Sequence, residues 1–230
     1  VMRNTIVISV LRLIFTMAIP ILLAIIINEV RLKSVKRIYQ TISYLPHFVS
    51  WIIISGLVVS LLSAEGGSLN ILLEKIGLIN EPINWMSEPN YFWAIFTSVT
   101  TWKVMGYRSI IFLAAIAGIN PNLYDAASVD GASRFQKIMK ITIPSIIPVI
   151  IILLVLAIGQ LLSGGYQQIL ALTNMGRNTI LRDVSETIGT YVYRVGITNF
   201  RYSFASAIGL FQSVINIFLL LTANKLAKKI

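Results

Sequence analysis

The sequence predicts an all-α integral membrane protein with five membrane-spanning helices. Of its 230 residues, 56% are hydrophobic and only 12% are charged, so the chain is far more apolar than a soluble domain. The apolar residues lie in five blocks, each close to the roughly 20 residues that a helix needs to cross the hydrocarbon core. The blocks cover residues 5–27, 42–62, 91–117, 144–162 and 203–223. None has the length and cleavage site of a signal peptide, so we expect all five to remain in the membrane.

Charged residues between the blocks predict the orientation of the bundle. The loops after the first and third blocks and the tail after the fifth are basic, which places them in the cytoplasm by the positive-inside rule. Their basic residues are Arg31, Lys33, Lys36 and Arg37, then Arg134, Lys137 and Lys140, and finally Lys225, Lys228 and Lys229. The loop after the second block holds four glutamates and one lysine and should be external. Because the net charge of +10 is distributed in this way, it does not indicate nucleic-acid binding.

One external loop departs from the rule. Residues 163–202 must be external by alternation, yet they hold four arginines against two acidic residues. These are Arg177, Arg182, Arg194 and Arg201 against Asp183 and Glu186. Long loops cross a membrane with weaker charge constraints, so we give alternation precedence. The same alternation places Val1 outside, which leads us to expect at least one further spanning helix upstream.

Both external loops should contain surface helices. In the first, residues 68–76 should form a short helix after Gly66 and Gly67. In the second, Gly164 and Gly165 should end the fourth span, and a polar stretch follows. Apolar residues at three- and four-residue spacing then predict an amphipathic helix. Its apolar face comprises Leu181, Val184, Ile188, Tyr191 and Val195. This face could rest on lipid or on the bundle, or it could meet an external partner.

The cytoplasmic loop between the third and fourth spans begins NPNLYDAASVDGASRFQK. Asn120 is a good N-cap and Pro121 suits the first helical turn, so a short helix should run to about Val129. Asp130 and Gly131 should end this helix, because glycine tolerates a left-handed backbone.

A second short helix should follow in the same loop. It should begin at Ser133 and carry Phe135, Ile138 and Ile141 on one face. Pro144 should stop it and start the fourth span, because proline lacks the N–H that a helix interior needs.

The first short helix presents a nearly bare surface. Ala126 and Ala127 follow Asp125, and their small side chains allow the backbone of another protein to come close. Such a helix, braced by the second one, could dock in a cleft and transmit movement of that cleft to the fourth span.

This stretch resembles the EAA loop of binding-protein-dependent ABC importer permeases. The family pattern is E-A-A, then glycine, then I-x-L-P, and here it reads Asp125-Ala126-Ala127, Gly131 and Ile141-Thr142-Ile143-Pro144. Asp125 replaces the usual glutamate and Ile143 the usual leucine. The resemblance implies that a cytoplasmic ATPase is coupled through Asp125, Ala126, Ala127, Asp130, Gly131, Ile141, Ile143 and Pro144.

The resemblance extends to the LplB-type branch of carbohydrate permeases. It includes Tyr44-Leu45-Pro46-His47-Phe48 with Trp51, Trp102-Lys103 with Gly106, and residues 196–224. It implies a type I ABC importer permease bundle: residues 1–230 would form one transmembrane permease domain in the bacterial inner (cytoplasmic) membrane, with the coupling loop at about 120–144.

The same resemblance implies the partners. These are membrane lipid, a cytoplasmic ABC ATPase dimer, a second permease of different sequence, and an external solute-binding lipoprotein or periplasmic protein that delivers an oligosaccharide. This chain has no P-loop, so we expect no catalytic residue and no cofactor in it, with ATP and Mg bound by the ATPase.

Three cations lie within predicted spans: Arg12 in the first, and Lys103 and Arg108 in the third. A central charge costs at least ~2.5 kcal/mol on insertion scales, and no acidic residue lies within the five blocks. These side chains could snorkel or brace the interface with the second permease. Alternatively, Lys103 or Arg108 could face the translocation cavity and bind an acidic saccharide such as a uronate.

Polar and aromatic residues near the outer half of the fourth and fifth spans have two possible roles. Amides and rings of this kind bind sugars, but the same residue types form hydrogen bonds between helices. The candidates for the substrate path are Tyr166, Gln167, Gln168, Gln212 and Asn216, with Gln160 and Ser213 nearby. The single histidine, His47, is expected to be structural rather than a proton relay or a metal ligand.

Two other functions fit a polytopic membrane protein. An ion-coupled secondary transporter would need neither an ATPase nor the docking loop, and an ABC permease could import a solute other than a sugar. A membrane enzyme is disfavoured because the chain has no cysteine, no pair of histidines and no carboxylate within its spans.

Overall fold

The computed structural model describes residues 1–162 and 165–228, and this part of the chain is helical, without strands. Two segments, Ile138–Thr142 and Arg194–Thr198, are π-helical. The α-helices are α1 (Met2–Glu29), α2 (Lys33–Phe48), α3 (Trp51–Leu61), α4 (Ser68–Lys75), α5 (Pro89–Ala117), α6 (Pro121–Val129), α7 (Arg134–Lys137), α8 (Ile143–Ile158), α9 (Tyr166–Leu172), α10 (Arg182–Ser185), α11 (Ile188–Tyr193) and α12 (Tyr202–Ala227).

The first, third and fifth predicted spans each form one continuous helix, namely α1, α5 and α12. Among the described residues, three helical segments are long and apolar enough to cross a membrane alone, and these are Met2–Glu29, Arg134–Ile158 and Tyr202–Ala227. The number rises to five if each bent pair, α2 with α3 and α5 with α6, is counted as one span. The short external helix predicted at 68–76 is confirmed as α4. Gly164 and Lys229, which the sequence analysis assigned to a span end and to the cytoplasmic tail, lie outside the described residues.

The prediction of one continuous helix over residues 42–62 is wrong. The axes of α2 and α3 differ by 101°. Pro46 lies near the end of α2, and Val49 and Ser50 have extended backbones that interrupt the helix. Ser50 then caps α3 by accepting a hydrogen bond from the backbone N–H of Ile53 at 3.3 Å. Local capping chemistry therefore divides an apolar block that is long enough to span the membrane.

The fourth span also differs from the prediction, because Pro144 does not separate it from the preceding short helix. Residues Arg134–Ile158 form one helical segment, with the π turn Ile138–Thr142 inside it. A proline ring clashes with the carbonyl four residues earlier in a regular α-helix, which here is the carbonyl of Lys140. Lys140 lies in the wider π turn, so the helix passes the proline without ending. The second part of the predicted coupling loop is therefore continuous with the span.

The predicted amphipathic helix at 181–195 is also wrong as a single element. It divides into α10 and α11, and Thr187 forms a capping box with Thr190 at the break. Three residues of its apolar face, Leu181, Ile188 and Val195, are buried, so this face packs on the bundle. The polar stretch before it contains α9, a helix that the sequence analysis did not predict.

In the described part of the chain, two clusters of buried apolar residues lie along the central pair α1 and α5. The outer cluster joins these helices to α9 and the external loop, and the inner cluster joins them to α8. The outer cluster contains Ile8, Phe92, Phe96, Ile169, Leu172 and Leu181, and the inner one contains Met17, Ala24, Phe112, Ile116 and Ile146. Many other large apolar side chains face outward, as expected for a surface in contact with lipid.

The two loops that are predicted to be external meet at one end of the bundle, where the side-chain amide of Asn178 donates to the carbonyl of Met86 at 3.0 Å. The side-chain amide of Asn4, at the start of α1, donates to the carbonyl of Asp183 at 2.8 Å. Trp93, at the start of α5, donates from Nε1 to the carbonyl of Val184 at 2.8 Å. The long loop after α8 is therefore attached to the outer ends of both central helices.

Helix α2 approaches α5 closely at Gly106, where a Cβ atom would overlap the carbonyl oxygen of Ser43. We therefore expect Gly106→Ala to separate the two helices and to destabilise the fold by about 2 kcal/mol. Thermal melting of the detergent-purified transporter measures this effect. Gly56→Ala is the control, since a Cβ there meets nothing within 4 Å. Equal melting temperatures for the two variants would contradict the prediction.

Candidate coupling and translocation sites

The first short helix of the cytoplasmic loop forms as its sequence predicts. The side chain of Asn120 accepts a hydrogen bond from the backbone N–H of Asn122 at 3.0 Å and so caps α6. Pro121 occupies the first turn. At the other end Gly131 has φ +73°, a left-handed conformation that glycine adopts without strain. Capping at both ends therefore limits α6 to Pro121–Val129.

The second short helix is capped as well. The hydroxyl of Ser133 accepts from the backbone N–H of Gln136 at 3.3 Å, and the Gln136 side chain accepts from the N–H of Ser133 at 2.7 Å. This capping box begins the helical segment that continues into the fourth span.

Side-chain hydrogen bonds connect the two short helices. The hydroxyls of Tyr124 and Thr142 lie 2.9 Å apart, and Thr142 is buried at the base of the fourth span. The ammonium of Lys137 donates to the hydroxyl of Ser128 at 2.5 Å. These two contacts hold α6 against the helical segment that continues into α8.

The outer surface of this hairpin is exposed. Asp125, Ala126 and Asp130 are exposed and Ala127 is half-buried. Large apolar side chains accompany them, with Val129 89% and Phe135 71% exposed. In contrast, the other residues of the proposed coupling set lie where the loop joins the span: Ile141 and Ile143 are half-buried, and Pro144 is exposed.

Lys103 is engaged by backbone carbonyls. Its ammonium donates to the carbonyls of Pro46, His47 and Val49 at 3.2, 2.7 and 2.7 Å. It also lies 5.1 Å from the centre of the Trp51 ring, and the residue is only 5% exposed. The charge thus satisfies the orphan carbonyls where α2 ends and α3 begins.

Arg108 lies one and a half turns further along α5 and lines a cavity of about 390 Å³. Its Nη1 donates to the hydroxyl and the carbonyl of Thr16 at 2.6 and 3.1 Å. Within residues 1–162 and 165–228, its Nε and Nη2 atoms form no hydrogen bond and no ion pair. One edge of the guanidinium is therefore unused.

The same cavity contains an aromatic pair. The rings of His47 and Tyr107 are stacked, with centroids 3.9 Å apart and planes 4° apart. The Nδ1 atom of His47 is buried and has no hydrogen-bond partner in the described chain. Gln160 also lines the cavity. Sequence reasoning missed Tyr107, although its position beside an intramembrane arginine was an available signal.

The remaining candidates for the substrate path are divided among several environments. Gln212 donates to the carbonyl of Leu162 at 2.5 Å, and Asn216 accepts from the N–H of the same residue at 3.3 Å. These two amides therefore link the fifth span to the end of the fourth. Tyr166 and Gln212 also line a separate cavity of about 500 Å³. Gln167 is exposed and donates to the Tyr166 hydroxyl at 3.3 Å, and Gln168 is half-buried. The path assignment of this set stays a prediction.

Comparison with known proteins identifies the family of this chain. The family described as "Binding-protein-dependent transport system inner membrane component" matches residues 16–230. Protein LplB of Bacillus subtilis (strain 168) is 40% identical over 228 residues, which cover 99% of this chain and 70% of LplB. The polygalacturonan/rhamnogalacturonan transport system permease protein YteP of the same organism is 38% identical over 228 residues, covering 99% of this chain and 69% of YteP.

A solved structure is also similar over the full length. A chain in the crystal structure of a bacterial ABC transporter involved in the import of the acidic polysaccharide alginate matches with a TM-score of 0.94 and 41% identity, covering 100% of this chain and 78% of that chain. The predicted resemblance is confirmed, and a secondary transporter is set aside. The chain belongs to the binding-protein-dependent transport system inner membrane component family, the permease subunits of ABC importers.

Proposed function

We propose that this permease forms part of the import path for an acidic oligosaccharide. The observation that carries the proposal is the unused edge of the Arg108 guanidinium in a cavity within the membrane. The similarity to permeases whose names specify polygalacturonan and alginate supports an anionic, sugar-type cargo. Coupling to ATP hydrolysis then requires a separate ATPase, because the chain has no P-loop.

The electrostatics of the site favour a carboxylate. A guanidinium within a membrane span needs a compensating group, and Thr16 supplies only neutral oxygens to Nη1. The Nε and Nη2 atoms form the fork that binds a carboxylate through two parallel hydrogen bonds. A uronate would supply that carboxylate while it passes through the span.

The other residues of the cavity suit a sugar ring. The stacked rings of His47 and Tyr107 provide an aromatic surface beside the arginine, and Gln160 provides an amide for hydroxyl groups. A volume of about 390 Å³ falls in the range of small-molecule pockets. We therefore assign the carboxylate to Arg108 and not to Lys103, whose ammonium is already bound by three carbonyls.

Movement would enter through α6. In this proposal an ATPase dimer binds the exposed surface around Asp125, Ala127 and Val129, and ATP-driven closure of the dimer moves α6. The Tyr124–Thr142 contact and the continuous helix beyond Lys137 then carry the movement to the fourth span. A second permease completes the path. The solved alginate transporter in complex with an alginate pentasaccharide-bound periplasmic protein supports delivery of the cargo by an external binding protein.

The test is ATP-dependent uptake by the complete transporter in proteoliposomes, with a uronate oligosaccharide and its carboxyl-reduced neutral counterpart. For the uronate cargo we expect Arg108→Gln to raise the KM about tenfold, the cost of losing a charge-assisted hydrogen-bond pair. The KM for the neutral cargo should stay unchanged. For the uronate cargo, the KM of Arg108→Lys should lie between those of the wild type and of Arg108→Gln. Arg37→Gln, at an exposed cytoplasmic position, is the control. The proposal would be contradicted if uptake did not require ATP, or if the transporter imported neither saccharide.

A further inference from the structure

A third cavity, of about 540 Å³, lies at the end of the molecule that is predicted to be external. It is formed by α9, the loop after it, α10, α11 and the π segment Arg194–Thr198. Three of the four arginines that break the positive-inside rule in this loop line it: Arg177, Arg182 and Arg194. The excess positive charge of the loop is thus concentrated in one concave site.

The cavity has a surplus of positive charge. Arg194 binds the carboxylate of Glu186 through Nη2 at 2.7 Å and Nε at 2.8 Å, so these two charges neutralise each other. The side chains of Arg177 and Arg182 form no hydrogen bond or ion pair with any residue in the described ranges. Two guanidinium groups therefore remain available to an anionic ligand.

The chain adopts a strained turn immediately before Arg177. Asn174, Met175 and Gly176 all have left-handed backbones, with φ of 51°, 57° and 77°. A non-glycine residue in this region costs roughly 1–2 kcal/mol. The turn is held by hydrogen bonds from the N–H of Met175 to the carbonyl of Leu170 at 2.7 Å and from that of Asn178 to the carbonyl of Thr173 at 3.1 Å. Strain of this kind, fixed by its surroundings, is concentrated at binding and catalytic sites.

We propose that this cavity binds a uronate unit of the acidic oligosaccharide at the external face, before the cargo enters the membrane path. The inference rests on the proposed function for the class of its ligand. Thr179, Ser185 and Thr198 also line the cavity, and each carries a hydroxyl of the kind that binds sugars. Because the site is concave and holds two free guanidinium groups, it is better suited to binding a small anion than to binding the flat surface of a protein.

Binding of trigalacturonate to the complete transporter, in nanodiscs without the external binding protein, tests the proposal by titration calorimetry. Exchanging both free arginines, Arg177→Gln with Arg182→Gln, should raise the Kd at least about tenfold. The matched control is Arg3→Gln with Arg201→Gln, which removes the same charge from two exposed residues that do not line the cavity. It should change the Kd by about twofold or less, because exposed charges at a distance are screened. Melting temperatures check that both variants fold.

The possible outcomes separate this proposal from the function itself. An unchanged Kd in the cavity variant, while the wild type still imports the uronate, would overturn the external site and leave the proposed function intact. If the cavity variant instead captured the binding protein more weakly, with acidic and neutral cargo alike, the two arginines would be a contact for that protein. That result would also overturn the proposed external site. If the wild type imported no saccharide, the proposed function would fail first.

Discussion

Lys103→Met should destabilise the permease by about 3 kcal/mol or more, the largest effect that we expect from a single side chain in the bundle. The ammonium satisfies the carbonyls of Pro46, His47 and Val49, and a thioether cannot donate to them. An orphaned buried acceptor costs roughly 1–3 kcal/mol, and the removal of a buried cation offsets part of the total. Thermal melting of the purified transporter, followed by size-exclusion chromatography, measures the loss.

Two further variants serve as controls for this prediction. Lys33→Met removes the same group from the exposed start of α2 and should melt like the wild type. Lys103→Arg keeps donors at the site and should recover part of the stability. If Lys103→Met instead kept its melting temperature and lost only its preference for acidic cargo, Lys103 would belong to the substrate path and not to the helix break.

Ala127→Trp is expected to reduce ATP-driven uptake by more than about tenfold while the permease still folds. Ala127 lies half-buried on the small-residue surface of α6, where we propose that the ATPase docks. An indole at this position would prevent close approach of the partner backbone, and misplacement of a coupled element by about 1 Å can cost 100-fold in rate. Two measurements on the same preparation separate the steps: co-purification reports whether the ATPase docks, and uptake reports whether docking drives transport.

Ala227→Trp is the matched control for this surface. Ala227 ends α12 at the same end of the bundle and is also half-buried, but it is not part of the coupling hairpin. Its variant should retain both ATPase binding and uptake. Normal co-purification and normal uptake by Ala127→Trp would contradict the proposed docking surface.

Prediction from the sequence succeeded where the signals are local. The cap Asn120, the proline after it and the glycine at 131 act within a few residues, and α6 begins and ends where they predict. Prediction failed where local signals compete. At Pro144 the sequence indicated a break, but the π turn before it lets the helix continue. At Val49 and Ser50 an apolar block looked continuous, but an extended link divides it.

The candidate sites show the same limit. The sequence alone identified Lys103 and Arg108 as cations without acidic partners in the spans, and left structural and substrate roles open for both. What decides between the two roles is what surrounds each residue: the ammonium of Lys103 meets carbonyls more than 50 positions earlier in the chain, whereas Arg108 meets Thr16 and a cavity. A pattern of residues along the chain does not show which distant segments come into contact.

The sequence by itself determined that this is a helical membrane protein and where α6 begins and ends, because hydropathy and helix caps act over short stretches of chain, and its EAA-like motif indicated the permease family. Only the tertiary structure decided how α2 and α3 bend, which carbonyls receive the charge of Lys103, and that three external arginines share one cavity. The reason is physical: burial, hydrogen-bond partners and net local charge depend on segments that are distant in sequence and meet only when the helices pack.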